Sequence, residues 1–173
     1  TVVAGSAQHL ITDKDSGFTA IAGEETDIFV QVVDIHGNTA PSNELTNDLP
    51  NSIGSLEVSP AGIGYWTFTG KRAGLYTLTI EEGDASREIA LTVLPGKAVR
   101  IVAELDGDSL SQGDVFLLRA NGIDSFENKV EIDAGNTTIS CTAGPTSHVT
   151  ADTWEVEITS AGNDRSCTIM WEG

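Results

Sequence analysis

The chain has 173 residues and 39 % apolar content, with 26 Asp and Glu against nine Lys and Arg, for a formal net charge of −17. A surface this acidic repels phosphate backbones and anionic lipid, which argues against nucleic acid as a partner. No apolar run is long enough for direct membrane insertion. The apolar content supports a packed core, and the length fits one large or two small domains.

Taken in chain order, Thr1 to Ala4 open as a strand rather than a signal peptide, so the chain reads as a mature fragment whose targeting signals lie elsewhere. Ile28, Val30 and Val32 then alternate along one strand, and Asp34 to Asn38 make a turn. There an Asx side chain bonds local backbone, while Gly37 and Asn38 accept positive φ. Turn residues at Asn51 to Gly54 precede a strand with Trp66 and Phe68. Gly70 to Gly74 precede Tyr76, Leu78 and Ile80, and Glu81 to Asp84 precede Ile89, Leu91 and Val93. Period-two alternation gives one dry and one wet face, as in antiparallel sheets. About seven short strands in roughly 90 residues is the pattern of a sandwich. No long stretch has helical spacing.

Laid on itself, the chain repeats. Gly5 to Leu10 matches Gly96 to Ile101, Asp34 to Asn38 matches Asp124 to Asn128, Trp66 matches Trp154, and Ala73-Gly74 matches Ala161-Gly162. The fold expected is therefore all-β, with two tandem immunoglobulin-like β-sandwich domains at 1–95 and 96–173. The linker Pro95-Gly96-Lys97 is short, which favours a semi-rigid rod. The second repeat has the leaner core: Leu118, Ala120 and Gly122 face inward where repeat one has Ile28, Val30 and Val32, at a cost of about 0.8 kcal/mol per missing methylene. Trp154, Val156 and Ile158 alternate, as do Cys167 and Ile169. Thr168 to Gly173 lines up with Leu78 to Gly83, so that repeat two lacks its last strand unless Thr168 to Trp171 itself serves as that strand. A missing strand leaves a sheet edge open to the next segment or to a partner.

Cys141 and Cys167 lie in predicted strands of the second repeat. Metal ligation needs more ligands nearby, and a reactive thiol needs an electropositive setting. One disulfide is the favoured reading, worth roughly 3 kcal/mol by loop closure and implying an oxidising compartment; two free buried thiols are the alternative.

Three stretches resemble known repeats. Val32-Val33-Asp34-Ile35-His36-Gly37-Asn38 is similar to the strand-turn of bacterial and archaeal Ig-like repeat arrays of the invasin and intimin type. Gly64-Tyr65-Trp66-Thr67-Phe68, followed by Ala73-Gly74-Leu75-Tyr76-Thr77-Leu78-Thr79-Ile80, resembles a pattern shared by those repeats and by filamin-type repeats. Leu94-Pro95-Gly96-Lys97-Ala98 resembles the boundary between consecutive units. The resemblance covers most of repeat one and implies an Ig-like fold, a spacer or adhesive role at a surface, and no catalytic residues.

Candidate sites follow from the acidic and aromatic residues. Asp34 and Asp124 start matched turns, and the sharper reading of each is a calcium ligand. Glu81, Glu82 and Asp84, with Asp106 and Asp108, are acidic clusters near the repeat junction. They read as a solvated surface or, alternatively, as interdomain calcium; Glu24, Glu25 and Asp27 read the same way. Trp66 and Trp154 occupy matched core positions, whereas Trp171 has no counterpart and is the candidate ligand contact. His9, His36 and His148 are scattered, and no nucleophile elbow is present. Asn136-Thr137-Thr138 is a glycosylation sequon.

These readings make the chain a non-catalytic segment of a larger extracellular or cell-surface protein, such as an adhesin stalk, surface-layer or envelope component. It would need no cofactor beyond structural calcium, and its partners would be neighbouring Ig-like domains and a protein or glycan ligand. The alternatives are a carbohydrate- or protein-binding module, or a subunit of a filament or virus-like particle completed by strand exchange.

Overall fold

The computed structural model describes residues 5–106, 111–150, 152–160, 162 and 165–172. The expected opening strand at Thr1 to Ala4, the candidate Asp108 and the repeat partner Ala161 lie outside the described residues. The chain divides into two compact units, Thr1–Gly96 and Lys97–Gly173.

Unit 1 contains β1 (His9–Thr12), β2 (Phe18–Ile21), β3 (Glu25–Val33), β4 (Thr39–Pro41), β5 (Thr46–Asn47), β6 (Gly54–Val58), β7 (Tyr65–Gly70), β8 (Gly74–Glu82) and β9 (Ala85–Leu94). One sheet runs β1-β3-β7-β6 with β4 beside β3, and the other runs β2-β9-β8-β5. Each sheet is dry on one face, so the two stack and share a core, as expected of an Ig-like sandwich. The alternation read from sequence is the alternation of burial: Ile28, Val30 and Val32, Trp66 and Phe68, Leu78 and Ile80, and Ile89, Leu91 and Val93 are all buried, and half-buried Tyr76 packs against them. Four strands carry no such signal. β4 and β5 are short, with no buried side chain, and β6 buries only Gly54. β2 runs parallel to β9, pairing Phe18 with Leu91 and Ile21 with Leu94 across most of the domain's sequence. Local pattern does not reveal a pairing of that span.

Unit 2 contains β10 (Arg100–Leu105), β11 (Val115–Ile123), β12 (Lys129–Val130), β13 (Thr137–Cys141), β14 (Thr146–Thr150), β15 (Thr153–Glu157) and β16 (Cys167–Trp171), with a short 3-10 turn at Ala134–Asn136. Its first sheet, β10-β11-β15-β14 with β12 beside β11, has the strand order of the first sheet of unit 1. Its second sheet, among the described residues, is β13 paired with β16. The register matches in the two units: Leu10 faces Val32 in β1–β3, and Ile101 faces Gly122 in β10–β11.

Cys141 and Cys167 form a disulfide and are directly opposed across β13–β16. Along β16 the half-buried residues are Cys167, Ile169 and Trp171, while Thr168 and Met170 face solvent. The inward set of β8 is Tyr76, Leu78 and Ile80. Parity therefore places Cys167, Ile169 and Trp171 on the face that Tyr76, Leu78 and Ile80 occupy in β8. The expected alignment of Thr168 with Leu78 sets a solvent-facing residue against a buried one, and a shift by an odd number of residues turns every inward side chain outward.

The leaner second core is also filled differently from what inward residues alone suggest. A Cβ on Gly122 would lie 2.8 Å from the Ala98 Cβ and 3.2 Å from the Ile132 Cγ2. Ile132, buried among Phe116, Leu118 and Trp154, and the buried Ala98 take up the space that a side chain would otherwise need. Gly122→Val, which restores the residue of repeat one, is therefore expected to destabilise unit 2 by about 1–3 kcal/mol in urea denaturation rather than improve its core. Reduction of Cys141–Cys167, which spans 26 residues of sequence, is expected to remove about 3 kcal/mol from unit 2 and to leave the calorimetric transition of unit 1 in place.

Candidate functional site

The matched turns after β3 and β11 are the most structured polar features of the chain. Asp34 is buried although charged. Its Oδ1 accepts the N–H groups of His36 at 2.8 Å and Asn38 at 2.9 Å. Its Oδ2 accepts the Gly5 N–H at 2.6 Å and the Asn38 Nδ2 at 3.0 Å. Asp124 repeats the plan, accepting Phe126 N–H at 2.8 Å, Asn128 N–H at 2.9 Å and Asn128 Nδ2 at 2.8 Å. The residue before each Asn adopts a left-handed φ, 77° at Gly37 and 65° at Glu127. Unit 2 thus accepts a conformation there that favours glycine. A carboxylate bonded to N–H groups in this way keeps its charge inside the fold. The Gly5 N–H, then the Asn38 side chain, hold the Asp34 carboxyl far below the ordinary carboxylate range, against the opposing effect of burial. The Thr79 N–H lowers Asp48 in the same sense.

The carboxylate oxygens that the calcium reading needs at Asp34 and Asp124 are those receiving these N–H donors. A cation would have to replace them. The remaining acidic candidates do not converge. Glu81 and Asp84 are exposed, and Glu82 accepts a hydrogen bond from Ser42. Asp106 is exposed, and its backbone N–H bonds the Leu117 carbonyl. Among the described residues no group of three or more His, Cys, Asp or Glu side chains could hold a metal ion. Asn136 sits exposed at the end of the 3-10 turn, its Nδ2 within 3.3 Å of Asp133 Oδ2. Trp171 is half-buried against the core of unit 2, so it is a packing residue with a partly open face rather than a projecting one. Trp66 and Trp154 are core residues, and His148 lies against Trp154 with ring centroids 5.3 Å apart.

The cavity that sequence reasoning did not foresee is a cleft of about 380 Å³ in unit 2. It lies between β10–β11 and β16, lined by Ala103, Leu105, Phe116, Leu118, Ile158 and Ile169, with Arg165 at the lining too. Its walls are mostly aliphatic and aromatic, with Ser160 and Ser166 among them, and Arg165 is the one ionisable side chain among its described lining residues. Such a lining suits apolar side chains and offers no acid–base pair. The signal in the sequence is the unequal strand count of the two repeats.

No family model matches the chain. It is similar to the inverse autotransporter adhesin YeeJ of Escherichia coli (strain K12), 30 % identical over 124 residues, which is 65 % of this chain. The chain spans 5 % of the length of that protein. Among solved structures it is similar to the S-layer protein SbsC. The likeness to SbsC domains 5–6 has 18 % identity and a TM-score of 0.42 over 95 % of this chain and 91 % of that one. The likeness to domains 4 and 5 has 25 % identity and a TM-score of 0.42 over 51 % of this chain and 52 % of that one.

The lowered Asp34 carboxyl makes unit 1 acid-sensitive in a defined direction. A depressed folded value contributes stability above the ordinary value of 3.8 and loses it as the pH falls below that toward the folded value. Asp34→Asn keeps one acceptor but sets an amide against the Gly5 N–H. The variant is expected to be less stable than the wild type at neutral pH, with the gap closing toward about pH 2. Urea midpoints across that range check it, and a gap independent of pH would contradict it.

Proposed function

We propose that the chain is a non-catalytic tandem Ig-like segment of a larger extracellular or cell-surface protein, serving as spacer and display module between other parts of that protein. The observation that carries this reading is the duplication of one structural plan. Two consecutive sandwiches have the same first-sheet order and the same buried Asp turn, as in repeat arrays whose units stack one after another. The similarity to an inverse autotransporter adhesin supports the surface setting. The disulfide supports an oxidising compartment. The strongly acidic surface, −17 overall, suits a segment that keeps its neighbours apart rather than one that captures anionic partners.

Display on a cell tests the role. Inserted between a surface anchor and a reporter binding domain, the segment is expected to raise reporter accessibility as much as an unrelated pair of sandwiches of equal length does. Cells bearing the segment without the reporter should bind no glycan array or host protein above anchor-only cells. Binding by the segment alone would replace the spacer reading with the binding-module reading.

A further inference from the structure

The turn between β6 and β7 is longer than its counterpart in unit 2. Residues 59–64 join these strands, whereas β15 follows β14 after two residues. The longer turn is fixed at several points. Ser59 N–H donates to the Tyr65 carbonyl at 3.0 Å, Tyr65 N–H to the Gly62 carbonyl at 3.2 Å, and Ser59 Oγ to Asp27 Oδ1 at 2.9 Å. Gly62 and Gly64 hold φ of 137° and 84°, a region that favours glycine. The turn presents Ile63 at 72 % exposure, with Val58 at 68 % and Tyr65 at 39 %. These side chains border a pocket of about 260 Å³, lined also by Ser42, Asn43 and Trp66. A Cβ on Gly62 would meet nothing within 4 Å, so space is open beside Ile63. None of the lining residues is an Asp, Glu, Lys, Arg or His. That sets the patch apart on a chain that is 20 % charged, with a net charge of −17.

We propose that this pocket is a contact between two copies of the chain, in which Ile63 of each copy seats in the pocket of the other about a two-fold axis. Charge and shape select that occupant. Two chains of net charge −17 repel each other over most of their surface, and an uncharged patch is where they approach at least cost. The same patch supplies a projecting aliphatic side chain and an open cavity walled by Val58, Tyr65 and Trp66. One surface is thus complementary to itself, as a two-fold contact requires. The hydrogen-bonded turn is already ordered, so seating Ile63 costs little further conformational entropy. One side chain from each copy covers much less than the roughly 1,600 Å² of a standard interface. The contact is therefore weak in dilute solution and populated where copies are crowded together. It joins copies of the segment and leaves the spacing role intact, so this inference and the spacer reading fail separately.

The test is sedimentation equilibrium of the whole chain up to roughly 1 mM, at about 0.05 M and about 0.5 M salt, with amide shifts followed by NMR. A monomer–dimer equilibrium is expected, with concentration-dependent shifts centred on residues 58–66 and on Ser42 and Asn43. Glu44 and Glu57 are exposed and next in sequence to Asn43 and Val58. Both copies bring them to the contact, so association is expected to tighten about threefold at the higher salt. Ile63→Glu is expected to weaken association about tenfold or more, and to leave the unit 1 melting transition in place because the side chain is exposed. Leu75→Glu replaces an apolar residue that is 82 % exposed on the other sheet. It is expected to leave association unchanged, which separates this contact from general stickiness. A monomer at every concentration and salt would overturn the proposal. So would a dimer that Ile63→Glu leaves intact, or one that Leu75→Glu weakens equally. A chain that stays monomeric while a neutral monosaccharide or a lysine-rich peptide shifts the amides of residues 58–66 would also overturn it, and would assign the pocket to that other occupant.

Discussion

An antiparallel sheet with one apolar face has to cover that face, and the organisation of both units follows from how they do so. In unit 1 the cover is complete: β9 and β8 bring Ile89, Leu91, Leu78 and Ile80 against Ile28, Val30 and Phe68, and all seven side chains are buried. Each fully buried side chain of this kind contributes about 1.5–3 kcal/mol, so the sheet pairing and the core are one cooperative structure rather than two contributions. Unit 2 has the same first sheet but, among its described residues, a two-stranded second one. Its core draws on residues outside the strand repeat, chiefly Ile132, to fill the space beneath Gly122.

The polar counterpart of this constraint is the turn that closes β3 and β11. A reversal at the end of a buried strand leaves N–H groups pointing inward, and each would be costly if left without an acceptor. One aspartate answers several of them, and the following asparagine closes the ring by donating its side-chain amide back to the same carboxylate. In unit 1 the carboxylate also takes the Gly5 N–H, so the segment leading into β1 is fastened to the end of β3. That explains why the Asp…Asn spacing survives in both units while the residue between them changes from Gly37 to Glu127. The hydrogen bonds depend on the Asp and Asn side chains; the left-handed φ between them is tolerated by either residue.

Much of this was legible before any coordinates, for a physical reason. Alternation along Ile28 to Val32, Trp66 to Phe68 and Ile89 to Val93 is written locally, and burial at period two follows from strand geometry alone. The disulfide partners could be named because the chain has two cysteines. What sequence did not show is what local pattern cannot encode. β2 pairs parallel with a strand some 70 residues away, and β4 and β5 present exposed side chains with no periodic mark. The acidic runs at Glu81, Glu82 and Asp84 are neighbours along the chain, yet strand pleating and a tight turn send them apart. Trp171 stands out as a candidate contact in the sequence because no tryptophan of the first repeat matches it. Strand pleating puts it on the same face as Ile169, half-buried against the core.

The position of the disulfide follows the same logic. The described ion pairs contribute little to stability. The ion pairs Lys14–Asp13, Arg87–Asp15 and Arg100–Glu127 involve partly exposed groups on an acidic surface, where such pairs are weak and screened by salt. Within unit 2, β16 is paired on one side, with β13, across five residues, and a single antiparallel pair is marginal by itself. The Cys141–Cys167 bond lies at the end of that ladder opposite to the Thr137–Trp171 pair. It fixes β16 in register, with Ile169 and Trp171 turned toward the core. In unit 1 the equivalent strand β8 has β9 and β5 on its two sides and no covalent tie. The crosslink therefore stands on a strand with one described lateral partner, doing for β16 part of what a second neighbouring strand does for β8.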